Sequence, residues 1–227
     1  MNPEILARIR ELGGYTDLVK GHSFADDLQA ITFSTVLYPR PVDTPWGAAD
    51  DTEPIPGLND WVTAHRTQLA HDAADFAREL VAHFYQLTQE PRVQTFFLAR
   101  PFTPFQPGTA DYEEWHDEFT DPTSIDLRPV LDVVADATPD FLHLAYSYGY
   151  PNSYPNSYYV CLSDPNPHNP TVFGTDHETF FQEVTNEGTL EAFFQRFLTP
   201  AELLALVQRR FGEQPLPTNP DSNDFHL

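Results

Sequence analysis

The residues from Phe141 to Leu198 leave this chain few ways to fold. Phe141-Leu142-His143-Leu144-Ala145-Tyr146 is one apolar run and Ser157-Tyr158-Tyr159-Val160-Cys161-Leu162 is another, with a Tyr-, Pro-, Asn- and Ser-rich turn between them. Short runs rich in aromatic and β-branched residues, bounded by turn formers, read as strands. A proline-studded loop then leads to Thr171-Val172-Phe173 and the tripeptide Asp176-His177-Glu178, and a short helix beginning near Thr189 closes the stretch. The expected class is α+β: a central, half-buried antiparallel sheet flanked by helices, acidic on its outside and closed by an aromatic helix.

The flanking sequence supplies the helices. Asn2-Pro3-Glu4 combines a capping side chain, a first-turn proline and an acid at the positive helix end, and Gly13-Gly14 stops the helix. Thr32 to Tyr38 reads as a strand ended by Pro39. A loop rich in Pro, Gly and acids runs from Pro41 to Pro56. From Asn59 or Asp60 onward, Leu69, Ala73, Phe76, Leu80, Phe84 and Leu87 recur at helical spacing, which predicts one long helix. Its stripe packs on a strand from Val93 to Leu98, and Pro101 to Pro107 breaks regular structure again. Leu127 to Val134 reads as a short helix or strand. Thr199-Pro200-Ala201-Glu202 is a capping box that opens a last helix, stopped by Gly212. These elements suit one α+β domain over residues 1–213, with residues 214–227 as a flexible tail. Residues 1–100 read either as part of that domain or as a unit of their own.

Charge narrows the functional classes. Thirty-four acids stand against twelve Lys and Arg, a net charge of −22. Nucleic acids and anionic membranes are disfavoured as partners, because phosphate binding needs cations, whereas a basic protein is complementary. A general bias toward acidic surfaces is the plain alternative. Between Pro101 and Gln195 sixteen carboxylates accompany a single cation, Arg128. The densest group is Asp111, Glu113, Glu114, Asp117, Glu118 and Asp121, interleaved with Tyr112, Trp115 and Phe119. Rings ringed by carboxylates are what a docking surface for a cationic protein needs. The competing reading is a solvated loop whose aromatics, Phe119 above all, dock on the chain's own core. The candidate partner-binding residues are Tyr112, Glu113, Glu114, Trp115, Asp117 and Glu118, with Tyr150 and Tyr154 on the neighbouring turn.

Catalytic and cofactor patterns are not recognisable. There is no Gly-rich phosphate loop, GxSxG elbow, HExxH or paired CxxC, so neither a catalytic residue nor a cofactor or metal is expected. Asp176, His177 and Glu178, with Asp164 or His168, are the best metal candidates, yet consecutive residues of a strand point to opposite faces. The histidines His65, His71 and His83 read as surface or edge residues. One cysteine, Cys161, permits no internal disulfide and reads as a small core residue. Neither a signal peptide nor a membrane span is recognisable, and the expected location is cytoplasmic.

The stretch around Cys161 resembles the SUKH superfamily, which holds bacterial toxin-immunity proteins and a fungal cell-wall-assembly regulator. The likeness rests on Tyr159-Val160-Cys161-Leu162-Ser163-Asp164, on Val172-Phe173-Gly174-Thr175-Asp176-His177-Glu178, and more loosely on Thr189-Leu190-Glu191-Ala192-Phe193-Phe194. It covers about 70 residues of the C-terminal part and lacks the Asn-Gly-Gly turn and Leu-Pro signature of the N-terminal half. The resemblance implies an α+β fold without enzymatic activity, and an antidote that binds a cognate secreted toxin, often a nuclease. Two other functions are consistent with the residues: a regulatory scaffold of the same fold for an endogenous protein, and a hydrolase using carboxylates and His177.

Overall fold

The computed structural model describes residues 1–41, 46, 53–86, 94–148 and 155–212. Helix α1 (Pro3–Glu11) starts where Asn2 Oδ1 accepts the Glu4 N–H, and Gly13 leaves it with a left-handed φ of 89°. Strand β1 (Gly14–Tyr15), helix α2 (Phe24–Gln29), strands β2 (Thr32–Phe33) and β3 (Tyr38–Pro39) come after it. Next are helices α3 (Leu58–Ala64), α4 (Arg66–His71) and α5 (Ala73–Phe84), then β4 (Gln94–Phe102), α6 (Ala110–Thr120) and α7 (Arg128–Leu131). The last third holds β5 (Phe141–Tyr148), β6 (Asn156–Cys161), β7 (Thr171–Thr175), a 3-10 turn at Phe180–Gln182, β8 (Val184–Thr189), α8 (Leu190–Gln195), β9 (Phe197–Leu198) and α9 (Pro200–Phe211).

Strands β4 to β8 form one antiparallel sheet in sequence order, so every neighbour is a chain neighbour among the strands. Alternation along the strands sorts their side chains to two faces. Leu142, Leu144, Val160 and Val172 join Ile5 and Ile9 of α1 and Leu190, Phe193 and Phe194 of α8. Phe141, Tyr159, Cys161 and Phe173 turn the other way, onto Phe119 of α6, Val130 of α7 and Phe181. A further cluster lies beyond the β4 edge, where Phe76, Leu80 and Phe84 of α5 meet Leu203 and Val207 of α9, with Phe96 packed against them. Each buried Phe or Leu contributes roughly 1.5–3 kcal/mol relative to exposure.

The α+β class with a central antiparallel sheet is therefore as expected, but four local expectations change. The central strands are buried on both faces, not one. That is why β5 opens as an almost continuous apolar run and why β7 is buried from Val172 to Thr175. The long helix from Asn59 is three helices, and α5 separates from α4 where Asp72 accepts the Asp75 N–H and so caps α5 instead of continuing α4. Leu69 sits in α4, Phe76, Leu80 and Phe84 in α5, and Leu87 lies outside the described residues. The strand expected over Thr32–Tyr38 is split into β2 and β3, with Leu37 making an isolated bridge to Thr95. Strand β4 runs through Pro101 to Phe102. It is an edge strand of its sheet, where the missing N–H of a proline interrupts no ladder on the outer side. Among the described residues no helix is long and apolar enough to cross a membrane. The expected tail at 214–227 lies outside them.

Candidate docking face

The segment read as either an interface or a solvated loop is helix α6. Thr109 Oγ1 accepts the Tyr112 N–H at 3.1 Å, and Asp111 and Glu113 sit in the first turn, at the positive helix end. Phe119 is buried, its ring 4.9 Å from Phe181 and 5.5 Å from Phe102. Helical spacing places Trp115 one turn before it, half-buried, with its ring 4.8 Å from Phe180. Tyr112 is half-buried and stacks on His116 at 4.1 Å. Glu113, Glu114, Asp117 and Glu118 occupy the opposite arc and are exposed.

Those four carboxylates have no ion-pair or hydrogen-bond partner among the described residues. They also repel one another, since Glu113 and Asp117, and Glu114 and Glu118, are like-charged pairs four residues apart, each costing about 0.2–0.5 kcal/mol. Asp117 and Glu118 lie near the negative end of the helix, and no basic residue occupies its last turn. Asp111 is different. Its Oδ2 accepts the Thr103 N–H at 2.9 Å, which ties the start of α6 to the end of β4. Asp121 is also engaged, accepting the Thr123 N–H and the Ser124 hydroxyl.

The floor beneath α6 is built by the tripeptide that sequence reading offered as a metal candidate. Asp176 Oδ1, just past β7, accepts the N–H groups of Glu178 and Thr179 at 2.7 and 2.8 Å, and these bonds hold its carboxyl below the usual range. The turn so fixed delivers Phe180 in a left-handed conformation, φ 45°, against Trp115. Asp164 accepts the N–H groups of Asn166 and Thr171 at 2.8 Å each, closing the loop between β6 and β7. No group of three or more His, Cys, Asp or Glu among the described residues is placed to hold a metal ion. Cys161 is fully buried and burial pushes its thiol up.

The structure thus brings Tyr112, Glu113, Glu114, Trp115, Asp117 and Glu118 onto one helix, and Tyr150 and Tyr154 lie outside the described residues. It does not gather all the acids of the span on one side. Glu187 bonds Arg196 beside α8, and Glu191 lies on α8, across the sheet from α6. A residue that sequence reasoning passed over is His143, on the same sheet face as Tyr159 and stacked on it at 4.7 Å. Burial, with Arg100 adding to it, pushes its imidazole down to about 4. A polar residue inside the apolar run of β5 was the available signal. No family model matches this chain, and neither does any curated protein or solved structure.

Proposed function

We propose that this chain is a non-catalytic binding protein of the immunity type, akin to the SUKH superfamily, that neutralises a cognate secreted toxin by occupying its basic cleft. The observation that carries the reading is the outer arc of α6. Four carboxylates with no cation partner among the described residues stand on the arc facing away from two half-buried rings, and their like-charged pairs four residues apart lower the stability of the helix. Charge held against the interest of the fold is charge available to a partner. A nuclease domain is basic because it grips phosphate, so such carboxylates would take the places of phosphate oxygens and speed encounter. Trp115 and Tyr112 would supply the anchors that aromatic residues commonly provide at the centre of an interface.

The test begins with the protein that copurifies from the native host. Its association with the wild type and with a D117K/E118K double variant is then followed by stopped-flow fluorescence at several salt concentrations. The expected result is association slowed by about tenfold or more at low salt, with a shallower salt dependence. Identical rates and salt slopes would take α6 out of the interface.

A further inference from the structure

Behind the C-terminal end of α6 the chain forms a groove of about 400 Å³, between that helix, the loop after it and α7. Its apolar lining comes from Phe119, Ile125, Leu127 and Leu131. Leu131 is 42% exposed, one of the few large aliphatic side chains open to solvent among the described residues. The groove is held in shape by polar bonds. Asp121 fixes the loop through Thr123 and Ser124, and the Asp126 N–H donates to the Phe181 carbonyl at 2.9 Å.

Its electrostatic setting is one-sided. Arg128, the only cation from residue 101 to residue 195, lies on the groove wall. Its guanidinium is bound in two places by Asp126, Nε to Oδ1 at 2.8 Å and Nη2 to Oδ2 at 2.6 Å. That pairing holds the Asp126 carboxyl down at about 2 and offsets the arginine charge. Asp117 and Glu118 on the last turn of α6 and Asp132 just past α7 add further carboxylates around this end of the helix. A partly apolar groove thereby lies next to a segment in which carboxylates outnumber the single cation.

We infer that this groove is the anchor pocket of the docking face, taking an apolar side chain that a partner protein carries between basic residues. The inference rests on the α6 reading and adds what the acids alone do not specify: a hydrophobic residue embedded in a cationic segment. Charge complementarity selects that occupant. A second copy of this chain would bring another net charge of −22 to the same place. A preformed pocket of this kind adds affinity without the ordering cost of building it.

The experiment uses the full chain and two probes, an oligolysine peptide with one central tryptophan and its counterpart with glycine at that position, titrated by fluorescence anisotropy. The tryptophan peptide is expected to bind about tenfold more tightly, the worth of partial burial of one indole. Leu131→Glu should erase that advantage although it adds a negative charge, which a purely electrostatic surface would welcome. Leu131→Gln repeats the test without a new charge, with near-UV circular dichroism reporting the fold of both. Leu18→Glu, at another exposed leucine, should leave the advantage intact. Equal binding of the two peptides, weakened alike by D117K/E118K, would leave α6 as the interface and overturn the groove. An advantage that survives both Leu131 variants would do the same. Sedimentation showing a wild-type dimer that Leu131→Glu converts to monomer would make the groove a self-interface and also overturn it. Binding of neither peptide would overturn the α6 reading itself, and the groove with it.

Discussion

At the scale of single residues, the informative side chains are polar ones in apolar company. His143 interrupts the run from Phe141 to Ala145, and its Nε2 is buried without a hydrogen-bond partner among the described residues. Its folded pKa, about 4, lies below the ordinary imidazole value of 6.5. Between those values the unfolded chain binds a proton that the folded chain does not, so stability rises with pH across that window and is lost as pH falls through it. Urea unfolding of the wild type between about pH 4 and 6.5 should show that rise, on the order of 2–3 kcal/mol. His143→Phe should remove most of it; an unchanged slope would mean that the histidine is protonated in the native state. Cys161 needs no such subtlety, because a lone cysteine in an apolar strand run is a core residue, and here it is one.

Elements were legible where their signals are local. The cap at Asn2, the capping box at Thr199 and Glu202, and the start of α8 at Thr189 all depend on residues within three positions, and all three helices begin there. The break between α4 and α5 was not legible, since an Asp with helical spacing on both sides can serve as interior residue or cap. Gly13-Gly14 reads as a stop, and tertiary packing adds a second demand. A Cβ on Gly14 would lie 2.5 Å from Ile9 Cγ2 and 2.8 Å from Phe33 Cζ, because β1 passes close over α1 and pairs with β2. Gly14→Ala is therefore expected to cost about 1–3 kcal/mol, seen as a lower denaturant midpoint with an unchanged m-value. A midpoint equal to that of the wild type would show that the contact relaxes freely.

On the scale of the whole molecule, sequence-distant segments are joined by a charge network. Glu202 of α9 accepts from Arg8 of α1 and from Arg40 just past β3, while Arg8 also donates to the Phe197 carbonyl at 2.7 Å. Burial pushes Glu202 up, but the Thr199 N–H, Arg8 and Arg40 together outweigh it and hold the carboxyl at about 2, below the ordinary 4.5. A depressed folded value means stability that is present above the unfolded value and lost as pH falls toward the folded one. Glu202→Gln should lower stability at neutral pH by about 1.5–3 kcal/mol, the worth of charge-assisted bonds. It should also flatten the fall in melting temperature between roughly pH 4.5 and 2. An acid limb as steep as that of the wild type would place the titrating group elsewhere.

The sequence by itself determined the class, the strands from Phe141 to Thr175 and the caps, because alternation, capping and turn chemistry act over a few residues. It also located the acidic, aromatic segment, since charge and ring content are properties of composition. Only the tertiary structure decided that this segment is a helix with its carboxylates outward, that the sheet is covered on both faces, and that Glu187 and Glu191 belong to the far side. Those outcomes depend on which elements meet across the core, and no window of neighbouring residues carries that information.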